Sequence, residues 1–224
     1  FPNVFALVDA PGFITATLCA AIVSSVAFAV GYKTRWVAIF TWYIWACLLG
    51  RNPLIINPGI PYIGWILLLF AALPDAPNLS LDARGQDDPA RAWELPRPLW
   101  ATAWIVMVVG YSYSGWMKLS SPSWIDGSSI QHVLSSPLAR PTFLREWLLQ
   151  WPSLLQALTW STLALELFAA PIALWSRARP HLWLALVGLH LGIIATVDFA
   201  DLTIGMLMIH LVTFDPAWIP GKHA

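Results

Sequence analysis

Seven apolar runs, near residues 12–31, 36–50, 58–73, 99–117, 154–175, 182–197 and 202–214, occupy most of this chain. A bilayer core about 30 Å thick needs about 20 helical residues to cross it, and only helices or closed barrels satisfy their backbone groups there. The pattern predicts an all-α fold, a polytopic membrane helical bundle of about seven transmembrane helices. The second, third, sixth and seventh runs are short, so their ends are loosely defined and one of them can be re-entrant. Charged residues make up 11% of the chain, where a soluble domain carries about a quarter, so a soluble fold is excluded.

The connections carry the polar residues. The stretch "PDAPNLSLDARGQDDPARAWELPRP" holds prolines and mixed charges that lipid cannot accommodate, and reads as a surface loop. Residues 118–153 form a second long connection. Its segment "RPTFLREWLLQWP" places Phe143, Leu144, Trp147, Leu148 and Trp151 on one helical face, as in an amphipathic interfacial segment lying against membrane lipid. No repeat interrupts the pattern, so residues 1–224 read as a single transmembrane domain.

Basic residues orient the bundle. If the runs alternate, Lys33, Arg35, Arg84, Arg91, Arg97, Arg177, Arg179 and Lys222 share one side, and Arg51, Lys118, Arg140 and Arg145 the other. The side with eight faces the cytoplasm by the positive-inside rule, and Lys118 faces outward. The same count puts Phe1 outside, as expected if an N-terminal helix entering from the cytoplasm precedes it. A net charge of zero points to no nucleic-acid partner. Cys19 and Cys47 lie in apolar runs and read as small hydrophobes, and the many tryptophans near run ends read as an interfacial belt.

Ionisable groups inside spans are costly unless paired or hydrated, so they are the first functional candidates. Glu166, His190 and His210 qualify. Glu166 precedes Pro171, whose missing N–H can kink the helix and free a carbonyl. His190 lies between Gly188 and Gly192, a spacing that admits a close neighbouring helix. A packed, neutral histidine is the plain alternative for both histidines. Arg51, in "LLGRNPLIINPG", either pairs with a buried carboxylate or belongs to a proline-shaped turn. Glu166 is expected to point into the bundle, toward Arg51, His190 or a freed backbone group. No HxxH, HExxH or Cys/His cluster occurs, so no metal is expected.

The stretch "YSYSGWMKLSSPSWIDGSS" ends the fourth run in a lysine. On a helix, Tyr111, Gly115 and Lys118 share a face with Ser114 beside them, and small residues there let another backbone approach. Lys118 is then either a snorkelling anchor or a base held for chemistry.

This stretch resembles a segment of vitamin K-dependent gamma-carboxylase and its bacterial relatives, the horizontally transferred transmembrane (HTTM) domain proteins. The shared pattern is Gly-x-x-Lys-Leu followed by Trp-x-Asp-Gly. "LLGRNPLIINPG", "SLDA", "LALELFAAPIALWSRAR" and "LHLG…IGMLM" match in order, so the resemblance spans nearly the whole chain. It implies that Lys118 is the catalytic base that deprotonates a reduced, vitamin K-like quinone, and that Glu166 matches an acidic position in a later helix. It also implies a membrane enzyme of carboxylase-like chemistry, with a quinone or peptide substrate. Where the carboxylase carries an upstream histidine, "DAPNLSLDA" offers only Asn78.

Taken with the helix-face reading, the resemblance implies an outward pocket for a flat hydrophobic quinone, lined by Tyr111, Trp116, Trp124 and Asp126 around Lys118, with Glu166, His190 and Arg51 as buried polar support. Asp126 could equally neutralise Lys118. The expected location is a bacterial inner membrane, with Lys118 on the periplasmic side. Two alternatives stand beside the enzyme: a non-catalytic accessory or structural subunit of a larger membrane complex, in which Lys118 and Glu166 make only structural contacts, and a small transporter.

Overall fold

The computed structural model describes residues 2–52, 57, 59–73, 80–84, 95–198 and 200–219. Asn78, Arg91, Lys222 and most of the 74–98 loop lie outside them. The described residues are all-α, with twelve α-helices, three short 3-10 turns and one isolated β-bridge between Ala139 and Val197.

Helices cover all seven apolar runs. Among the described residues, two segments suffice by length and apolarity alone to cross a bilayer, Pro11–Ala29 and Ser176–Thr196. Gly59–Ala72 and Leu202–Thr213 are apolar but shorter, and a 14-residue helix rises only about 21 Å. Helix length and apolarity alone thus mark two spans among the described residues, not seven.

The chain forms two compact units. The first, Phe1–Leu99, holds α1 (Val4–Leu7), α2 (Pro11–Ala29), α3 (Thr34–Arg51) and α4 (Gly59–Ala72). Helices α2 and α3 turn back on each other through Gly31 (φ 67°) and Lys33 (φ 46°), and Ser24 and Thr41 join them by a 2.9 Å hydroxyl hydrogen bond. Asp82 secures that turn. Its carboxylate accepts the N–H groups of Lys33 and Thr34, each at 2.7 Å, and the Thr34 hydroxyl at 2.9 Å. It thus caps the first turn of α3 from 48 residues away. Those bonds, from Thr34 first, hold its carboxyl below the usual carboxylate range.

The second unit, Trp100–Ala224, contains most of α5 (Arg97–Lys118) and then α6 (Pro122–Ile125), α7 (Ser129–Ser135) and α8 (Phe143–Leu149). It continues with α9 (Pro152–Leu167), α10 (Ala169–Ala173), α11 (Arg179–Thr196) and α12 (Ala200–Thr213). The 118–153 connection is thus three short helices. Phe143 is 86% exposed, and Leu144 and Trp147 are also exposed, which leaves an apolar face on α8. Its Arg145 turns back to donate to the Leu134 carbonyl at 2.6 Å. The β-bridge anchors the same connection to the end of α11, with the Arg140 N–H on the Thr196 carbonyl at 2.9 Å.

Pro171 divides the run at 154–175. A proline cannot donate to the carbonyl four residues earlier and its ring crowds that position, here Leu167, where α9 ends and from which α10 is offset. The Ser112 hydroxyl of α5 accepts the Ala170 N–H at 2.9 Å, satisfying the donor that the break releases.

Candidate functional site

The break in α9 lies against the small-residue face of α5. A Cβ added to Gly115 would stand 2.6 Å from the Leu167 Cα, so glycine is required where the two backbones cross. The predicted Gly188/Gly192 notch has no such role, because a Cβ at either position would meet nothing within 4 Å. Lys118 sits one turn beyond Gly115 on α5, and Glu166 sits beside Leu167 on α9. The crossing brings them together.

Lys118 Nζ forms an ion pair and hydrogen bond with Glu166 Oε2. It also donates to Ser114 Oγ at 3.3 Å and lies 4.7 Å from the centre of the Trp124 ring. The Lys118 side chain keeps 20% of its surface exposed and that of Glu166 8%. The ammonium is therefore held on three sides, by a carboxylate, a hydroxyl and an aromatic face. Glu166 points inward as expected, but its partner is Lys118. Arg51 instead pairs with Asp9 at 2.6 Å in the first unit.

The cover over Lys118 is fastened to α9. Gln156 donates to the Asp126 carbonyl at 2.9 Å, and Trp160 to the Ile125 carbonyl at 3.1 Å. The Thr159 hydroxyl accepts the Ile130 N–H at 3.2 Å. Gly127, at φ 84°, lets the chain turn between these anchors. Trp124 in α6 is thereby set over Lys118.

Asp126 is turned to its own loop, accepting the Ser128 N–H at 2.8 Å. The Ser128 hydroxyl and N–H hold its carboxyl below the usual range. The charge opposite Lys118 is Glu166, not Asp126. Trp116 is 66% exposed. Tyr111 is buried, and its hydroxyl meets His190 Nε2 at 2.6 Å. Of the residues expected to line the pocket, Trp124 packs directly on the Lys118 ammonium.

His210 is more central than its sequence position suggests. Its ring lies 5.9 Å from that of Tyr111, 5.8 Å from His190 and 6.1 Å from Trp183, and Nδ1 donates to the Met206 carbonyl at 2.7 Å. An open apolar groove of about 500 Å³ runs along Ala164, Leu165, Phe168, Pro171, Ile172 and Trp175, on residues flanking Glu166. Among the described residues, no group of three or more His, Cys, Asp and Glu side chains could hold a metal ion.

No curated protein and no solved structure matches the chain. Residues 4–218 match the HTTM domain, whose members are transmembrane, and with that match over nearly its whole length the chain belongs to the HTTM domain family.

Proposed function

We propose that this protein is a membrane enzyme in which Lys118 and Glu166 together form an acid–base site for a flat, hydrophobic substrate bearing a hydroxyl, of the quinol type. The observation that carries the reading is the ammonium oriented by a buried carboxylate under an indole face while a fifth of its side chain stays open. In a site poor in water, separated charges are expensive, so transfer of one ammonium proton to Glu166 is a low-cost rearrangement. The amine so formed accepts the proton of a bound hydroxyl, leaving an ammonium beside the new oxyanion and the first proton on Glu166. The Trp124 ring supplies a flat wall, and the apolar groove beside Glu166 suits a hydrophobic tail.

The seven apolar runs serve as the membrane spans in this reading, the shorter ones matched by local thinning of the bilayer, with the 118–153 connection on the periplasmic side of a bacterial inner membrane. The basic-residue asymmetry and the exposed apolar face of α8 support it.

The test is quinol-dependent turnover in lipid nanodiscs. Lys118→Ala and Lys118→Arg should both abolish it while the protein stays folded, because guanidinium does not release its proton. Full activity in Lys118→Arg overturns the reading.

One observation favours a second reading. The pair satisfies both charges, as a clasp between α5 and α9 in an accessory subunit of a larger complex would. A Lys118→Glu/Glu166→Lys exchange separates the two: a clasp keeps its stability and complex assembly, whereas an acid–base site loses turnover.

A further inference from the structure

His190 and His210 are 4% and 1% exposed, and each has one ring nitrogen anchored. His210 Nδ1 meets the Met206 carbonyl and His190 Nε2 meets the Tyr111 hydroxyl. The other two nitrogens, His190 Nδ1 and His210 Nε2, are buried with no hydrogen-bond partner among the described residues. Leaving a buried polar atom unbonded is costly, and here two such atoms belong to neighbouring rings.

Chemistry sets the direction of the bonds. A carbonyl only accepts, so His210 carries its proton on Nδ1 and offers a lone pair at Nε2. Between Tyr111 and His190 the phenol is much the stronger acid, so its O–H donates to Nε2 and His190 carries its proton on Nδ1. His190 Nδ1 is thus a donor in need of an acceptor, and His210 Nε2 an acceptor in need of a donor. The ring centres are 5.8 Å apart, near enough for one water, at about 2.8 Å per hydrogen bond, to reach a nitrogen of each.

We infer that one buried water bridges His190 Nδ1 and His210 Nε2, and that with it Tyr111, His190 and His210 form a single one-way hydrogen-bond chain ending on the Met206 carbonyl. The water accepts from His190 and donates to His210. It is a structural component of the core in the sense that buried bridging waters are. Tyr111 lies two turns from Lys118 on the same face of α5, so the chain carries polar groups from behind the acid–base site into the core. That consequence rests on the function proposed above; the water and the tautomers do not.

Solid-state NMR of the full chain, labelled with ¹⁵N-histidine and held in lipid bilayers, reads both. Expected are two neutral rings protonated at Nδ1, with water-edited magnetisation reaching His190 Nδ1 and His210 Nε2. Tyr111→Phe should leave His210 unchanged and turn His190 into a mixture of tautomers, which a purely space-filling tyrosine would not do. A ring at His190 protonated on Nε2, no water transfer, or a stoichiometric metal ion shifting both rings would overturn the inference. If Tyr111→Phe fails to fold, the wild-type spectrum alone decides. Loss or retention of turnover in Lys118 variants does not alter this readout.

Discussion

Gly115 and Leu167 touch backbone to backbone, and that single crossing sets Lys118 of α5 against Glu166 of α9. The glycine is required by its neighbour's main chain, since a Cβ there would stand 2.6 Å from the Leu167 Cα. Gly115→Ala should therefore push the helices apart and cost about 1–3 kcal/mol. Thermal unfolding in detergent measures the loss, and crosslinking between cysteines placed at 118 and 166 should weaken with it. An unchanged melting temperature and unchanged crosslinking would contradict the crossing.

Removing one member of the ion pair leaves the other charge buried and alone. Glu166→Ala is expected to destabilise the protein by about 3 kcal/mol. Lys118→Met/Glu166→Met together should recover most of that loss, because an apolar pair carries no desolvation penalty. Denaturant titration of Lys118→Met, Glu166→Met and the double variant gives the coupling directly.

Ser112 matters through one hydrogen bond. Ser112→Ala leaves the Ala170 N–H beside the proline break without its acceptor, at a cost of about 1–2 kcal/mol. Amide hydrogen exchange at Ala170 should speed up while exchange in α2 and α3 stays as it was.

The Asp82 cap should respond to pH in one direction. Its folded-state carboxyl titrates below its ordinary value of 3.8. The stabilisation is therefore fully present above that value and is lost as pH falls through the lower folded value. Exchange at the Lys33 and Thr34 amides should accelerate only in strong acid relative to unbonded amides. In Asp82→Ala it should be fast at neutral pH as well, with the cap loss costing about 1 kcal/mol.

What the sequence determined by itself follows from local chemistry. Apolar runs have to form helices in lipid, and each of the seven proved helical. Pro171 forced a break because its ring removes a donor wherever it stands. The sequence also marked Glu166 and Lys118 as residues whose burial required explanation, and Gly115 as part of a small face. Which groups explain them was decided only in three dimensions. Lys118 and Glu166 are 48 residues apart, and no spacing rule links residues on different helices. Arg51 had the right charge for Glu166 but pairs with Asp9, and Asp126, near Lys118 in sequence, is engaged by Ser128 in its own loop. The Gly188/Gly192 spacing suggested a helix contact, yet the close crossing occurs at Gly115, because a glycine permits close approach and only a neighbouring backbone makes use of it. His210 gave no sign beyond its burial, since its value to the core lies in rings contributed by α5 and α11. Local propensity is encoded residue by residue, whereas pairing depends on which helix faces meet, and that is settled by packing of the whole unit.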